Sequence, residues 1–69
     1  MKYEITFATQ KPEAVRTKAS ASGLTMDKKE LPGVVYSTGE HFTLLKVGSN
    51  CKKDFPVIEA LCKEFRFKQ

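Results

Sequence analysis

The sequence predicts a small α+β domain in which two helices cover one face of an antiparallel sheet. Three observations lead to this fold class. Residues 2–8 alternate between polar and apolar side chains, as in a half-buried strand. Residues 33–48 contain two β-prone runs on either side of a turn near Gly39. Residues 55–65 repeat apolar side chains at the spacing of one helical face.

The first strand is followed by a weakly amphipathic helix. Three apolar side chains of the strand share the face that we assign to the core: Tyr3, Ile5 and Phe7. Pro12 suits the first turn of a helix and Gly23 suits a left-handed cap, so we predict a helix over residues 12–22. Its apolar side chains are small and bury little area, so we expect it to contribute little stability.

Residues 24–32 form the least regular part of the chain. Leu24 and Met26 favour an extra strand, whereas residues 27–30 are compatible with one helical turn. We predict a loop or a short edge strand that ends at the turn signal Leu31-Pro32-Gly33.

The hairpin over residues 33–48 is apolar on both faces. A two-residue turn at Thr38-Gly39 or Gly39-Glu40 divides its side chains into two sets. We assign the first set to the core: Val34, Tyr36, Thr43, Leu45 and Val47. The second set lies on the opposite, outer face: Val35, Ser37, Phe42, Leu44 and Lys46. A three-residue turn would exchange the partners and place Tyr36 beside Phe42 and Leu44.

The second helix has the stronger apolar face. Its apolar side chains recur at i, i+3, i+6, i+7 and i+10: Phe55, Ile58, Leu61, Cys62 and Phe65. Pro56 belongs in the first turn, which makes Asp54 the expected N-cap. Residues 65–68 alternate again and are compatible with a short closing strand.

Together these elements give the order βαββα(β), which fits a ferredoxin-like arrangement in a single domain spanning residues 1–69. Because both helices lie on one face, the outer face of the hairpin has no cover in this arrangement. One internal segment, residues 24–32, is long enough to fold over it, and that is the alternative to an open binding face.

The composition is that of an ordinary globular protein. The chain has 69 residues, of which 41% are hydrophobic and 29% charged, and no apolar run approaches the roughly 18 residues of a membrane span. The N-terminus lacks the apolar region of a secretion signal, so we expect a cytoplasmic protein. On one helix Cys51 and Cys62 lie about 16 Å apart, too far for a disulfide, so we expect two free thiols.

The sequence contains no arrangement typical of catalysis or of metal binding. His41 is the single histidine, and Glu40 beside it points to the opposite face of a strand, where it cannot orient the imidazole. Cys51 has neither a base nor an oxyanion donor in view. One histidine and two distant cysteines lack metal-ligand spacing. We expect a non-enzymatic protein without a cofactor.

A weak candidate for anion binding precedes the second helix. Lys52 and Lys53 follow Gly48-Ser49-Asn50, and the backbone N–H groups at a helix start attract anions. The spacing of a P-loop is absent. A solvated loop is the plainer interpretation.

The outer face of the hairpin is the main functional candidate. Val35, Phe42 and Leu44 form a compact apolar patch of the kind that marks association sites. Basic side chains surround the patch. They are Lys2 and Lys46, joined by Arg66 and Lys68 if the closing strand forms. We predict a module that binds a larger protein with an acidic surface, through this face or an edge strand, and modulates or inhibits it. Self-association as a homodimer is a further use of the same surface.

The alternative function is binding of RNA or of single-stranded nucleic acid. Sheet platforms stack unpaired bases on exposed aromatic side chains amid basic ones, and Phe42 has this setting. The net charge of +4 permits such binding. The strand over residues 40–47 does not match the RNP1 pattern, however, and Glu4 on the same face repels phosphate.

Overall fold

The structure, a computed structural model, describes residues 1–68 and confirms the α+β fold class. One helix follows the first strand and the other follows the last strand, as predicted. The elements are β1 (Tyr3–Thr9), α1 (Pro12–Ala21), β2 (Thr25–Met26), β3 (Leu31–Val35), β4 (Glu40–Ser49), a short 3-10 turn (Lys52–Asp54) and α2 (Phe55–Phe65).

Strand β4 is central, and every other strand pairs with it in antiparallel orientation. β1 lies along one edge of β4, and β2 and β3 share the other edge. The chain passes from β1 through α1 to β3, and β4 lies between these two strands. This is the split β-α-β unit of the ferredoxin-like arrangement that the element order predicted.

The alternation along β1 and β4 directs one set of side chains toward both helices. The buried core consists of Phe7, Val15, Ala19, Leu24, Leu45, Val47, Ile58 and Leu61. Partly buried side chains complete it: Ile5, Met26, Phe55, Cys62 and Phe65. The predicted core faces of β1 and α2 are confirmed. Each large aliphatic side chain in this core stabilises the fold by about 1.5–3 kcal/mol.

Helix α1 ends at a glycine cap, as predicted. Gly23 adopts φ +73°, and its N–H donates to the carbonyl of Ser20 at 3.1 Å. The N–H of Leu24 donates to the carbonyl of Ala19 at 2.9 Å. These are the two hydrogen bonds of a Schellman motif, and the reversal turns Leu24 into the core.

The loop between β3 and β4 is longer than predicted. β3 already pairs from Leu31, and Tyr36–Gly39 form a four-residue loop. The carbonyl of Val35 accepts hydrogen bonds from the N–H groups of Thr38 at 3.2 Å and Gly39 at 2.7 Å, and Gly39 adopts φ +74°. Two-residue and four-residue loops give the same parity, so the predicted division into two faces is confirmed beyond the loop.

Two side chains that we assigned to the core are exposed. Tyr36 is 96% exposed and Val34 is 36% exposed. Tyr36 lies in the loop, and Val34 lies opposite His41, beyond the last pair of β1 with β4 at Thr43. The assignment was wrong because it extended the core along the whole hairpin. In the structure the end of the hairpin projects beyond the pairing with β1, and the molecule is elongated, measuring 38 × 20 × 19 Å.

Residues 24–32 extend the sheet along the second edge of β4, as β2 and the start of β3. Leu24 is buried in the core, whereas Leu31 is 61% exposed. The prediction of a short edge strand is confirmed for Thr25–Met26, whereas the predicted turn at Leu31-Pro32-Gly33 is wrong, because these three residues begin β3. The alternative in which this segment folds over the outer face is wrong, because its two ends pair with β4 and Leu24 and Met26 pack on the helix side.

The predicted closing strand is reduced to a single bridge. Arg66 pairs with Thr9, and the N–H of Phe67 donates to the carbonyl of Ala8 at 2.6 Å. Paired residues share a face of a sheet, so Arg66 lies on the helix side with Thr9, and Phe67 lies on the outer face. The prediction that a closing strand carries Arg66 and Lys68 to the outer face is wrong, because a single bridge forms in its place and that bridge has the opposite register.

Candidate protein-binding face

The outer face of the sheet carries an apolar strip near its hairpin end. Strand register and ring stacking bring together five side chains, which we call the outer strip: Leu31, Val35, Phe42, Leu44 and Phe67. Three of these are the predicted patch residues, and the structure places all three on one face. Leu31 was missed because the hairpin was predicted to begin at Gly33. Phe67 was missed because the register of the tail was not predictable from the sequence.

Phe42 is packed against two residues of its own chain. Its ring lies over the α-carbon of Gly33 in β3, so close that a Cβ at position 33 would overlap the ring. On the outer face Phe67 stacks on it, with ring centres 6.0 Å apart and planes inclined by 30°. The ring is therefore half-buried. A glycine inside a β-prone run often indicates that another group lies close to the strand backbone, as the Phe42 ring does here.

Leu31 and Leu44 are cross-strand partners in the middle of the strip. Leu44 is half-buried, and Leu31 is 61% exposed. Removing the remaining surface of both side chains from water is worth about 2–3 kcal/mol before the costs of association. A shallow groove runs beside them at the gap between β2 and β3, where Thr6, Asp27 and Lys29 line it.

Lys46 and Lys2 lie at the far end of the sheet from the hairpin loop. Lys46 is on the outer face, as predicted, and its Nζ lies 3.7 Å from Oε1 of Glu4. Both side chains are more than one-third exposed, so this ion pair contributes little to stability. Lys2 is exposed, and its backbone N–H donates to Oδ1 of Asn50 at 3.3 Å.

Arg66 and Lys68 lie beside Phe67 but outside the strip. Together with Lys11 they line an open groove between the end of β1 and the end of α2. Glu64 also lines this groove, but its Oε1 accepts from Nζ of Lys18 at 2.8 Å. The groove is therefore cationic.

Charge is distributed unevenly over the chain. Residues 31–45 contain none of the twelve Lys and Arg residues, and Glu40 is their one formally charged member. Residues 31–45 are thus nearly neutral, whereas the rest of the chain is basic. Among residues 1–68 three of the twelve cations form ion pairs, with Glu30, Glu64 and Glu4 as the acceptors.

Lys52 and Lys53 lie in the 3-10 turn that precedes α2, and both are exposed. The carboxylate of Asp54 occupies the same turn, where it accepts a hydrogen bond from the hydroxyl of Ser49 at 2.7 Å. Asp54 stands at the predicted N-cap position, but its side chain makes no capping hydrogen bond. Because a carboxylate opposes a bound anion, the weak anion-binding prediction gains no support from this geometry.

The remaining chemically active side chains are dispersed. Within residues 1–68 no group of three or more His, Cys, Asp or Glu side chains is placed to hold a metal ion. Cys51 is exposed and Cys62 is half-buried, and both are free thiols. His41 is exposed on the hairpin. No helix in this described part is long and apolar enough to cross a membrane.

Comparisons of the chain with models of protein families, with curated proteins and with solved structures give no match. The chain's own surface is therefore the basis for inferring its function. Apolar area and charge distribution are the two properties of that surface that distinguish one class of partner from another.

Proposed function

We propose that the chain is a non-enzymatic protein-binding module whose outer strip docks onto a larger protein. The observation that best supports this is the exposure of Leu31 beside the half-buried Leu44 on one face, while the helices already fill the other face. A contiguous apolar surface of this kind is typical of an association site. Phe42 and Phe67 support it because their stacked rings add apolar surface to the same strip.

The charges favour a partner whose apolar patch is rimmed by carboxylates. Residues 31–45 contribute no cation, so their contact with the partner is largely apolar. Lys2 and Lys46 lie toward one end of the sheet, and Arg66 and Lys68 lie near Phe67 at the other. Acidic groups around the partner's patch would complement both ends and accelerate encounter. Occupying such a surface is sufficient for a modulator or inhibitor.

Nucleic-acid binding is the second candidate, and the cationic groove with Lys11, Arg66 and Lys68 is the observation that favours it. The outer strip favours it less. The Phe42 ring is packed against Gly33 and Phe67, so it is not a free platform for an unpaired base. The segment that carries this ring also has no cation to meet phosphate.

The test is site-specific photo-crosslinking of the full chain in its cell of origin. p-Benzoylphenylalanine replaces Leu31 in the outer strip or, as the matched control, Val57, which is an exposed apolar residue of α2. Lysates are divided and treated with or without nuclease, and the cross-linked species are purified through a tag and identified by mass spectrometry.

We expect a defined protein to be cross-linked from position 31 in both nuclease arms and not from position 57. Competition by purified wild-type chain should remove that product. Adducts that consist of nucleic acid, or that disappear with nuclease, would overturn the proposal in favour of the second candidate. Equal labelling from both positions, or labelling of further copies of the chain alone, would also overturn it.

A further inference from the structure

The outer edge of β3, opposite to the edge that pairs with β4, has no strand partner among residues 1–68. The direction of its backbone groups follows from the hairpin loop. The carbonyl of Val35 points toward β4, because it accepts from Thr38 and Gly39 in the loop. Carbonyls alternate in direction along a strand. Those of Pro32 and Val34 therefore point outward.

The outward N–H groups follow from the geometry of the peptide bond. In a trans peptide the N–H points opposite to the preceding carbonyl, and every described peptide here is trans. The N–H groups of Val34 and Tyr36 therefore point outward. Pro32 would have pointed its N–H outward as well, so the ladder with β4 loses no bond to this proline.

These four outward groups are complementary to themselves. In two antiparallel copies of β3 related by a two-fold axis at Val34, each Val34 donates to and accepts from the other copy's Val34. The N–H of Tyr36 meets the other copy's Pro32 carbonyl, once on each side of the axis. These four outward groups are then all paired. We propose that the chain forms a two-fold dimer through this pairing of β3 about Val34.

The side chains and charges of the hairpin support the same pairing. Cross-strand neighbours share a face, so Val34 packs on its own copy, and Tyr36 comes next to the other copy's Pro32. Val34 and Tyr36 are the two side chains on this part of the molecule that the fold leaves exposed against expectation. Two chains of net charge +4 repel each other, but residues 31–45 contain no Lys or Arg. The hairpins can therefore approach without bringing cations together.

The dimer does not depend on the proposed function, although it would join the two sheets and place two outer strips on one continuous face. Pairing of one short strand buries a small interface area, so we expect a weak dimer.

Sedimentation velocity of the purified full chain over a wide range of concentration tests the proposal. Val34→Pro removes the outward N–H at the axis and no hydrogen bond to β4. Val34→Thr is the matched control, because it keeps the N–H and a β-branched side chain. We expect wild type and Val34→Thr to pass from monomer to dimer as concentration rises. Val34→Pro should remain monomeric, with an unchanged circular dichroism spectrum.

Amide hydrogen exchange of the wild-type chain keeps the test decisive even where Val34→Pro fails to fold. The amides of Val34 and Tyr36 should become more protected as concentration rises, whereas the amide of Thr38, which is bonded within the loop, should not change. A wild-type chain that stays monomeric throughout would overturn the proposal. So would a dimer that persists in folded Val34→Pro or one that protects other amides instead.

Discussion

The ring of Phe42 lies across the α-carbon of Gly33, its cross-strand partner in the β3–β4 hairpin. Any side chain at position 33 would overlap the ring, so glycine is what allows Phe42 to lie against the sheet. Phe67 stacks on the same ring from the C-terminal segment. An aromatic side chain that covers a glycine in the next strand helps to fix strand register. The outer strip is therefore an ordered surface.

Replacing Gly33 with Ala should lower the free energy of unfolding by about 1–3 kcal/mol, because the new Cβ must displace the Phe42 ring. Urea denaturation followed by circular dichroism measures the change. In a Phe42→Ala background the same substitution should be nearly neutral, since no ring remains to be displaced. An equal loss in both backgrounds would show that the ring does not lie over Gly33.

Replacing Phe67 with Ala should destabilise the chain by about 1–2 kcal/mol, because it removes the stacked pair with Phe42 and the apolar cover that this pair provides. Phe67→Leu is the control, since it keeps apolar cover without a ring and should lose less. Denaturation midpoints of the three chains provide the comparison. Identical midpoints would contradict the placement of the tail on the outer face.

The ion pair between Arg16 and Glu30 should make stability depend on pH. Nε of Arg16 donates to Oε1 of Glu30 at 2.7 Å, and Nη2 donates to Oε2. These hydrogen bonds, aided by the guanidinium charge and opposed by partial desolvation, lower the pKa of Glu30 below its ordinary value of 4.5. A lowered pKa in the folded state means that the stabilisation is fully present above 4.5 and is lost as pH falls through the folded-state pKa.

Unfolding free energies measured across the acid range should therefore fall less steeply in Glu30→Gln than in wild type. Glu59→Gln is the control, because Glu59 is exposed on α2 and forms no ion pair within residues 1–68. Its acid dependence should follow that of wild type. Superimposable curves for Glu30→Gln and wild type would contradict the pairing.

Charge reversal should separate the two candidate functions. Lys46→Glu combined with Arg66→Glu removes two exposed cations and should abolish any binding of a labelled single-stranded oligonucleotide, whose affinity depends steeply on salt. Binding of a protein partner through the outer strip should survive with a slower association rate. Loss of protein binding to the same extent as oligonucleotide binding would contradict docking through the apolar outer strip.

Local patterns predicted those parts of the fold that depend on local chemistry. The alternation in β1, the helical face of α2 and the Gly23 cap each depend on neighbouring residues alone, and each is confirmed. The exposure of Tyr36 could not be predicted in this way. It depends on the length of the loop, because turns of several lengths near Gly39 are compatible with the sequence. It also depends on how far the helices extend along the sheet.

The tail shows a second limit of sequence reasoning. Residues 65–68 alternate, but alternation does not indicate which side chain of Arg66 and Phe67 faces outward. A shift of one residue exchanges the two faces. The bridge to Thr9 settles the register in the structure, and it brings Phe67 rather than Arg66 to the outer strip.

The affinity of the cross-linked partner, once purified, for wild type, Leu31→Ser and Val57→Ser tests the central proposal most directly. Both substitutions remove an exposed apolar side chain, but only Leu31 lies in the outer strip. Isothermal titration should show a Kd weakened by about 5–30-fold for Leu31→Ser, or about 1–2 kcal/mol. Val57→Ser should bind as wild type does. Equal effects of the two substitutions, or none for Leu31→Ser, would contradict docking through the outer strip.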